Sequence, residues 1–135
     1  MLMALRNDPY AVANSVSGRA VTVDEHEHWF RKVLADPVGH RLWIAESGGR
    51  PAGQVRIDIA GDTGTVSIAV QPAERGRGFG TAILQSLLAK VAFEGSPARL
   101  RAVVRSDNPA SLHAFAAVGF REVANGAAFL ELEWP

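Results

Sequence analysis

Hydrophobic and polar residues along this chain follow two spacings, one typical of strands and one typical of helices. Every second residue is apolar in 54–59, 65–70 and 99–105, which predicts strands with one buried face. Apolar residues recur every three or four positions after Gly80 and after Asn108, which predicts two amphipathic helices. Sequence signals also predict a helix over 22–34 and strands over 41–46, 120–123 and 127–134. This order predicts an α/β (α+β) fold in which helices cover a mixed sheet.

The turn Gly61-Asp62-Thr63-Gly64 lies between the first two alternating segments and predicts a hairpin. We expect Ala60 to pair with Thr65, because this register keeps the two apolar faces together. It also sets Asp58 opposite Ser67. Near the start of the chain, Asn7-Asp8-Pro9 and Ser17-Gly18-Arg19 predict turns.

Composition narrows the class of protein. The 135 residues predict one domain over 1–135. The formal net charge is zero, which argues against nucleic acid as the main partner. No apolar stretch approaches the ~20 residues of a membrane span, and the start of the chain does not resemble a signal peptide. Cysteine is absent, which excludes a cysteine nucleophile and fits a cytoplasmic protein.

The segment 74–81, Glu-Arg-Gly-Arg-Gly-Phe-Gly-Thr, is the most informative for function. Gly76, Gly78 and Gly80 would allow a tight backbone path close to a ligand. The loop then enters a helix, whose first N–H groups are unpaired and favour an anion. Arg75 and Arg77 add positive charge. The segment therefore predicts a phosphate site, the alternative being a plain turn that packs the helix on the sheet.

Two familiar phosphate motifs do not fit. The nucleotide P-loop needs Gly-Lys-Ser or Gly-Lys-Thr, which is absent here. The dinucleotide fingerprint lacks its third small residue in register. The pattern Arg75-Gly76-Arg77-Gly78-Phe79-Gly80 instead resembles the Arg/Gln-x-x-Gly-x-Gly/Ala signature of the GNAT superfamily of acetyl-CoA-dependent N-acetyltransferases. A second block also resembles that family, and it consists of Asn108, Ser111, Phe115, Gly119 and Phe120.

The resemblance implies a mostly antiparallel sheet in which two parallel neighbouring strands, 65–70 and 99–105, splay apart. It implies that backbone groups of Ile68 and Val70 bind the pantetheine arm of acetyl-CoA in that gap, one N–H polarising the thioester oxygen. Family members usually have a strand before their first helix, and we expect that strand to be missing from this chain. The implied acetyl-CoA contacts are Ile68, Val70, Arg75, Gly76, Arg77, Gly78, Phe79, Gly80, Thr81, Asn108, Ser111 and Phe115.

Phe115 is the main departure from the family pattern. The family usually has a tyrosine there, commonly assigned to protonate the leaving thiolate, and phenylalanine cannot do so. A thiol has a pKa of about 8.5, so its thiolate leaves fairly well without an acid. Ser111, His113 or a water are possible substitutes. The catalytic residues therefore stay open.

Asp58 and Ser67 are the candidates on the acceptor side, where they would contact the amine or hold a deprotonating water. The alternative is that Asp58 and Arg56 are ordinary exposed polar residues. His26 and His28 point in different directions on their helix and cannot bind one metal together. We therefore expect no metal.

The predicted function is transfer of an acetyl group from acetyl-CoA to a primary amine by direct attack in a ternary complex. The acceptor would be a small molecule, and an amino sugar is one candidate. Asn7-Asp8-Pro9 and residues 25–30 resemble ribosomal-protein-alanine and pseudaminic-pathway acetyltransferases. Acetylation of a protein N-terminus and a non-catalytic acyl-CoA-binding module are the alternatives. No membrane partner is expected, and a homodimer is possible.

Overall fold

The structure is a computed structural model and describes residues 22–135. In chain order its elements are α1 (Val23–Ala35), β1 (His40–Ser47), β2 (Arg50–Ala60), β3 (Thr63–Val70), a 3₁₀ turn (Pro72–Glu74), α2 (Phe79–Glu94), β4 (Arg99–Arg105), α3 (Pro109–Ala117), β5 (Arg121–Asn125) and β6 (Phe129–Trp134). Every predicted helix and strand over these residues is present. The predicted turns near the start of the chain, and the expected lack of a first strand, lie outside the described residues.

Six strands form one sheet in the order β1-β2-β3-β4-β6-β5. All neighbouring strands are antiparallel except β3 and β4, which are parallel. A parallel pair needs a crossover between its strands, and α2 provides it. The predicted mixed, mostly antiparallel α/β sheet flanked by helices is confirmed.

The hairpin register predicted from the sequence is wrong by two residues. Ala60 pairs with Thr63, so Asp58 lies opposite Thr65, and Ser67 lies opposite Arg56. The turn contains two residues, the commonest hairpin length, instead of the four that we expected. Since side chains alternate with period two, a two-residue shift leaves both apolar faces unchanged. Hydrophobic alternation therefore could not distinguish the two registers.

The strands β3 and β4 pair only at their beginnings. Thr63, Gly64 and Thr65 face Arg99, Leu100 and Arg101, and the pairing stops there. A gap therefore opens between the remaining residues of the two strands, as the family resemblance implied. Gly64 permits the close approach at the paired end, because a Cβ there would lie 2.5 Å from Ile57 Cγ2 and 2.8 Å from Pro97 Cγ.

The helices α2 and α3 pack against one face of the sheet. The predicted stripe of α2 is buried at Ile83, Leu84, Leu87 and Val91. In α3 the buried residues are Ala114 and Phe115, and Ala116 is exposed. The other face of the sheet bears the polar residues of β2, and α1 reaches it through Trp29, whose ring lies 5.0 Å from the guanidinium carbon of Arg56.

Candidate active site

A cavity of about 900 Å³ lies where β3 and β4 separate. Its lining includes Val66 and Phe115 from the core face of the sheet and Gln54 and Ser67 from the opposite face. The cavity therefore passes through the gap between the strands. We call the part formed by residues 75–81 the loop end, and the part formed by Gln54, Arg56 and Ser67 the strand end.

The backbone of the loop end depends on two glycines. Gly76 has φ +78° and Gly78 has φ +79°, a region that other residues avoid. Gly78 is also the N-cap of α2, so the unpaired N–H groups of the first helical turn lie at the cavity. Gly80 does not share this conformation, since it lies within α2 and its φ is not positive. The turn itself therefore needs Gly76 and Gly78 and not Gly80, whose closeness to a ligand stays a prediction.

Charged side chains at the loop end are arranged around a buried carboxylate. Glu74 is 8% exposed and lines the cavity. Its carboxylate lies 3.7 Å from Arg77 Nη1 and 3.8 Å from Arg50 Nη2. The Arg75 side chain turns back to the strand, where Nε donates to the Val70 carbonyl at 3.1 Å. Arg77 is the one predicted cofactor residue outside the cavity lining.

Ile68 and Val70 present backbone groups to the gap. The N–H of Gln71 donates to the Ala52 carbonyl of β2 at 2.7 Å. Because successive residues turn their backbone groups to opposite edges of a strand, Ala69 faces β2, and Ile68 and Val70 face β4. Their side chains and Ala69 all line the cavity. The structure therefore provides a strand edge that β4 does not pair with, where the resemblance implied one, and the Val70 carbonyl on this edge accepts from Arg75.

The start of α3 forms another wall. Asn108 is 6% exposed and is the N-cap, accepting from the Ser111 N–H at 3.3 Å and donating to Ser111 Oγ at 3.1 Å. Phe115 is 2% exposed and packs edge-on against Phe120, with ring centroids 4.8 Å apart. All three predicted residues of this helix line the cavity. Phe115 is therefore a wall residue that also belongs to the core.

One ion pair lies in the connection between β4 and α3. Arg105 Nε donates to Asp107 Oδ1 at 3.1 Å. This hydrogen bond lowers the pKa of the Asp107 carboxyl from its usual value and raises the pKa of Arg105. Both groups are charged at neutral pH, so the pair adds no net charge beside Asn108.

The strand end consists of polar side chains from two paired strands. Arg56 Nε donates to Asp58 Oδ2 at 3.1 Å, and Arg56 Nη2 lies 3.5 Å from Ser67 Oγ. The other Asp58 oxygen lies 2.7 Å from His40 Nδ1. Ser67 lines the cavity, whereas Asp58 does not. Asp58 and Ser67 therefore meet through Arg56 and not as direct neighbours.

Sequence reasoning missed three polar residues of the cavity lining. Gln54 and Arg56 lie on the polar face of an alternating strand, where the sequence alone gives no reason to separate them from solvent-facing residues. Glu74 precedes the glycine motif without belonging to it. The only sequence signal for Glu74 was its position directly before Arg75 and three residues before Arg77.

Residues 22–135 contain no group of three or more His, Cys, Asp or Glu residues placed to hold a metal ion. Within the same residues, no helix combines the length and apolar character needed to cross a membrane.

Comparison with known proteins agrees with this architecture. The family model described as Acetyltransferase (GNAT) family matches residues 2–120. The chain therefore belongs to the GNAT acetyltransferase family, as the two sequence motifs implied.

Among curated proteins, the chain is similar to L-2,4-diaminobutyric acid acetyltransferase of Nocardia farcinica. The two are 44% identical over 85 residues, which cover 60% of this chain and 44% of that protein. The chain thus matches less than half the length of this relative.

Two solved structures have the same fold. Ribosomal-protein-alanine N-acetyltransferase from Brucella melitensis superimposes with a TM-score of 0.78 and 22% identity, covering 98% of this chain and 91% of that one. Spermidine N-acetyltransferase from Vibrio cholerae, in complex with CoA and spermine, gives a TM-score of 0.81 and 17% identity, covering 98% and 86%. These likenesses extend over the sheet and its helices and concern the fold alone.

Proposed function

We propose that this chain is an N-acetyltransferase that moves an acetyl group from acetyl-CoA to the primary amine of a small molecule. The observation that carries the proposal is a single cavity that joins the loop end to the opposite face of the sheet through the splayed strands. A donor bound at the loop end and an acceptor bound at the strand end would then meet in the gap. Direct attack requires this geometry, in which both reactants are held together.

The loop end suits the pyrophosphate of coenzyme A. The first N–H groups of α2 and the glycine backbone offer hydrogen-bond donors to an anion. Gly76 and Gly78 leave open space beside the backbone, since a Cβ at either position would have no neighbour within 4 Å. Arg75 and Arg77 supply positive charge at the same end. On the β3 edge that β4 does not pair with, the backbone groups of Ile68 and the N–H of Val70 would pair with the pantetheine arm.

The reaction needs no covalent enzyme intermediate. The amine nitrogen attacks the thioester carbon, the carbon–sulfur bond breaks, and the CoA thiolate leaves while the amine loses a proton. A backbone N–H of the free β3 edge would stabilise the negative oxygen that forms. Phe115 cannot protonate the thiolate, which leaves unassisted at neutral pH or takes its proton from water. Asp58 and Ser67 stay the predicted residues on the acceptor side; Ser67 lines the cavity, whereas Asp58 lies outside the lining and would act only through a water.

The curated relative supports a small acceptor. Its name gives diaminobutyric acid as the molecule that it acetylates, which is a small aliphatic amine. An amino sugar stays a prediction, as does a protein N-terminus. The non-catalytic module is the second candidate, and the observation in its favour is Phe115 at the position of the family tyrosine. The cytoplasmic location and the homodimer also stay predictions.

Release of free coenzyme A tests the proposal. The chain has no cysteine, so a thiol reagent reports coenzyme A without background from the protein. We expect release from acetyl-CoA with at least one member of a panel: 2,4-diaminobutyrate, spermidine, a nucleotide-linked amino sugar and an alanyl peptide. Mass spectrometry of the product identifies the acetylated amine. Tight binding of acetyl-CoA without release on any amine would instead support the non-catalytic module.

A further inference from the structure

We propose that the strand end recognises an acceptor which carries a carboxylate as well as an amine. Gln54 would accept a hydrogen bond from an amino group of the acceptor, and Arg56 would bind its carboxylate. The inference rests on the proposed function, since it assigns the acceptor class to the same cavity.

Gln54 has an unsatisfied oxygen. Its Oε1 is buried, and among the described residues no donor lies within hydrogen-bond distance of it. The side chain lines the cavity and lies opposite Ala69 of β3, whose methyl group cannot donate. A buried acceptor without a partner is costly, so native structures usually pair such atoms with a ligand or a water.

The missing partner must be a donor. A glutamine carbonyl oxygen only accepts hydrogen bonds, which excludes a carboxylate or a carbonyl at this point. An amine or ammonium group supplies N–H donors, and a primary amine is what the proposed reaction consumes. Gln54 therefore fits the nitrogen of the acceptor.

Arg56 is oriented before any ligand binds. Arg56 Nε donates to Asp58 Oδ2 at 3.1 Å. The other Asp58 oxygen lies 2.7 Å from His40 Nδ1. The Trp29 ring lies 5.0 Å from the guanidinium carbon. With Nε held on one side, the outer edge of the guanidinium, formed by Nη1 and Nη2, is the part that can turn to the cavity. A fixed guanidinium fork matches the geometry of a carboxylate.

The hydrogen-bond donors at the strand end also suit a carboxylate. Arg56 is the only arginine or lysine there among the described residues that line the cavity. Asp58 is not part of the lining, and both of its oxygens have partners. Ser67 Oγ, 3.5 Å from Arg56 Nη2, adds a hydroxyl that can donate to the same ligand group. Asp58 balances the charge of Arg56, so the strand end offers an anion hydrogen-bond donors: the outer guanidinium edge and the Ser67 hydroxyl.

Spacing along β2 matches an amino acid of moderate length. Gln54 and Arg56 are two residues apart on one face of the strand, a Cα separation of about 7 Å. In a diamino acid with a short side chain, the distance between the side-chain amine and the carboxylate is of the same order. A diamine of the same length would satisfy Gln54 only and would offer no anion to the outer edge of the Arg56 guanidinium.

Paired probes that differ only in the carboxylate test the inference. The probes are 2,4-diaminobutyrate with 1,3-diaminopropane, and ornithine with putrescine. Binding to the protein with coenzyme A present is measured by calorimetry, and coenzyme A release from acetyl-CoA is measured separately. We expect the carboxylate member of each pair to bind about tenfold more tightly or better.

Variants assign the preference to its residues. Arg56→Gln should reduce the preference to below about threefold, and Arg56→Lys should retain part of it, since lysine keeps the charge without the fork. The control is Arg101→Gln, which removes a comparable ion pair with Glu131 (2.7 Å) outside the cavity and should leave the preference unchanged. Gln54→Leu should raise the KM for every amine without lowering the thermal midpoint, because it removes an unpaired acceptor.

The outcomes separate the two proposals. Equal binding within both pairs, a preference for the diamines, or no binding of any probe overturns the inference. An unchanged preference in Arg56→Gln overturns it as well. Selective binding without coenzyme A release would uphold the carboxylate subsite and contradict the acetyltransferase function. Equal coenzyme A release with both members of each pair would support the acetyltransferase function and contradict the carboxylate subsite.

Discussion

The two ends of the cavity are built from different parts of the chain. The loop end comes from one continuous segment, 75–81, whose backbone does most of the recognition through Gly76, Gly78 and the first turn of α2. The strand end consists of side chains from two paired strands, and Trp29 of α1 lies against it. A continuous backbone site is visible in a sequence as a motif. A site formed by side chains of different strands depends on how the strands pair, and no local sequence motif specifies that register.

The largest effect should come from the wall that serves both the cavity and the core. Phe115→Ala removes a ring that is 2% exposed and packed on Phe120, and should lower the free energy of unfolding by about 3–5 kcal/mol. Phe93→Ala is the control, because Phe93 is 93% exposed and its loss should cost little. Urea unfolding measures both. Equal losses of unfolding free energy in the two variants would show that the Phe115 ring does not stabilise the core.

Next in size is the loss of acetyl-CoA binding in Gly78→Asp, which places a carboxylate beside the proposed pyrophosphate. Like charges at contact cost several kcal/mol, so affinity should fall about 100-fold. Gly61→Asp is matched to it: Gly61 has φ +62°, and a Cβ there also has no neighbour within 4 Å, but the residue lies in the β2–β3 turn. Calorimetric titration of both variants separates backbone strain from site charge. Unchanged affinity in Gly78→Asp would remove the loop end from the donor site.

A smaller effect tests the α3 cap between the two ends. Asn108→Ala removes the acceptor that holds the Ser111 N–H and should cost about 1 kcal/mol of stability. Asn108→Asp keeps an acceptor and should cost less. Thermal unfolding compares the two. If the aspartate variant loses as much stability as the alanine variant, the hydrogen bond from the Asn108 amide nitrogen, and not the one to its oxygen, stabilises this wall.

The smallest effect, that of Gly80→Ala, distinguishes this glycine from the others of the motif. Gly80→Ala should raise stability by about 0.5–1 kcal/mol, because alanine favours a helix and its Cβ would lie an ordinary 3.7 Å from Ala114 Cβ. Gly76→Ala should lower stability by about 1–2 kcal/mol, since its φ is +78°. Urea unfolding measures both changes. A loss in Gly80→Ala would mean that the helix start tolerates no side chain, and all three glycines would then serve the backbone path.

Most elements of the fold could be predicted because each depends on local patterns. The strand 99–105 and the helix starts at Val23 and Pro109 follow from alternation, the Thr22 cap and the Asn108-Pro109 pair. The hairpin register could not be predicted, because two registers bury the same apolar side chains. This single ambiguity moved Asp58 away from Ser67 and hid the partner of both, Arg56.

Local sequence by itself determined the order of helices and strands, the glycine loop before α2 and the family to which the chain belongs. These depend on spacing, backbone conformation and capping, all of which act over a few neighbouring residues. Only the tertiary structure decided how the cavity crosses the sheet, that Glu74 is buried beside two arginines, and that Gln54 has an unpaired oxygen at the strand end. Burial and the loss of hydrogen-bond partners depend on what packs around a side chain, and residues far apart in sequence supply that packing.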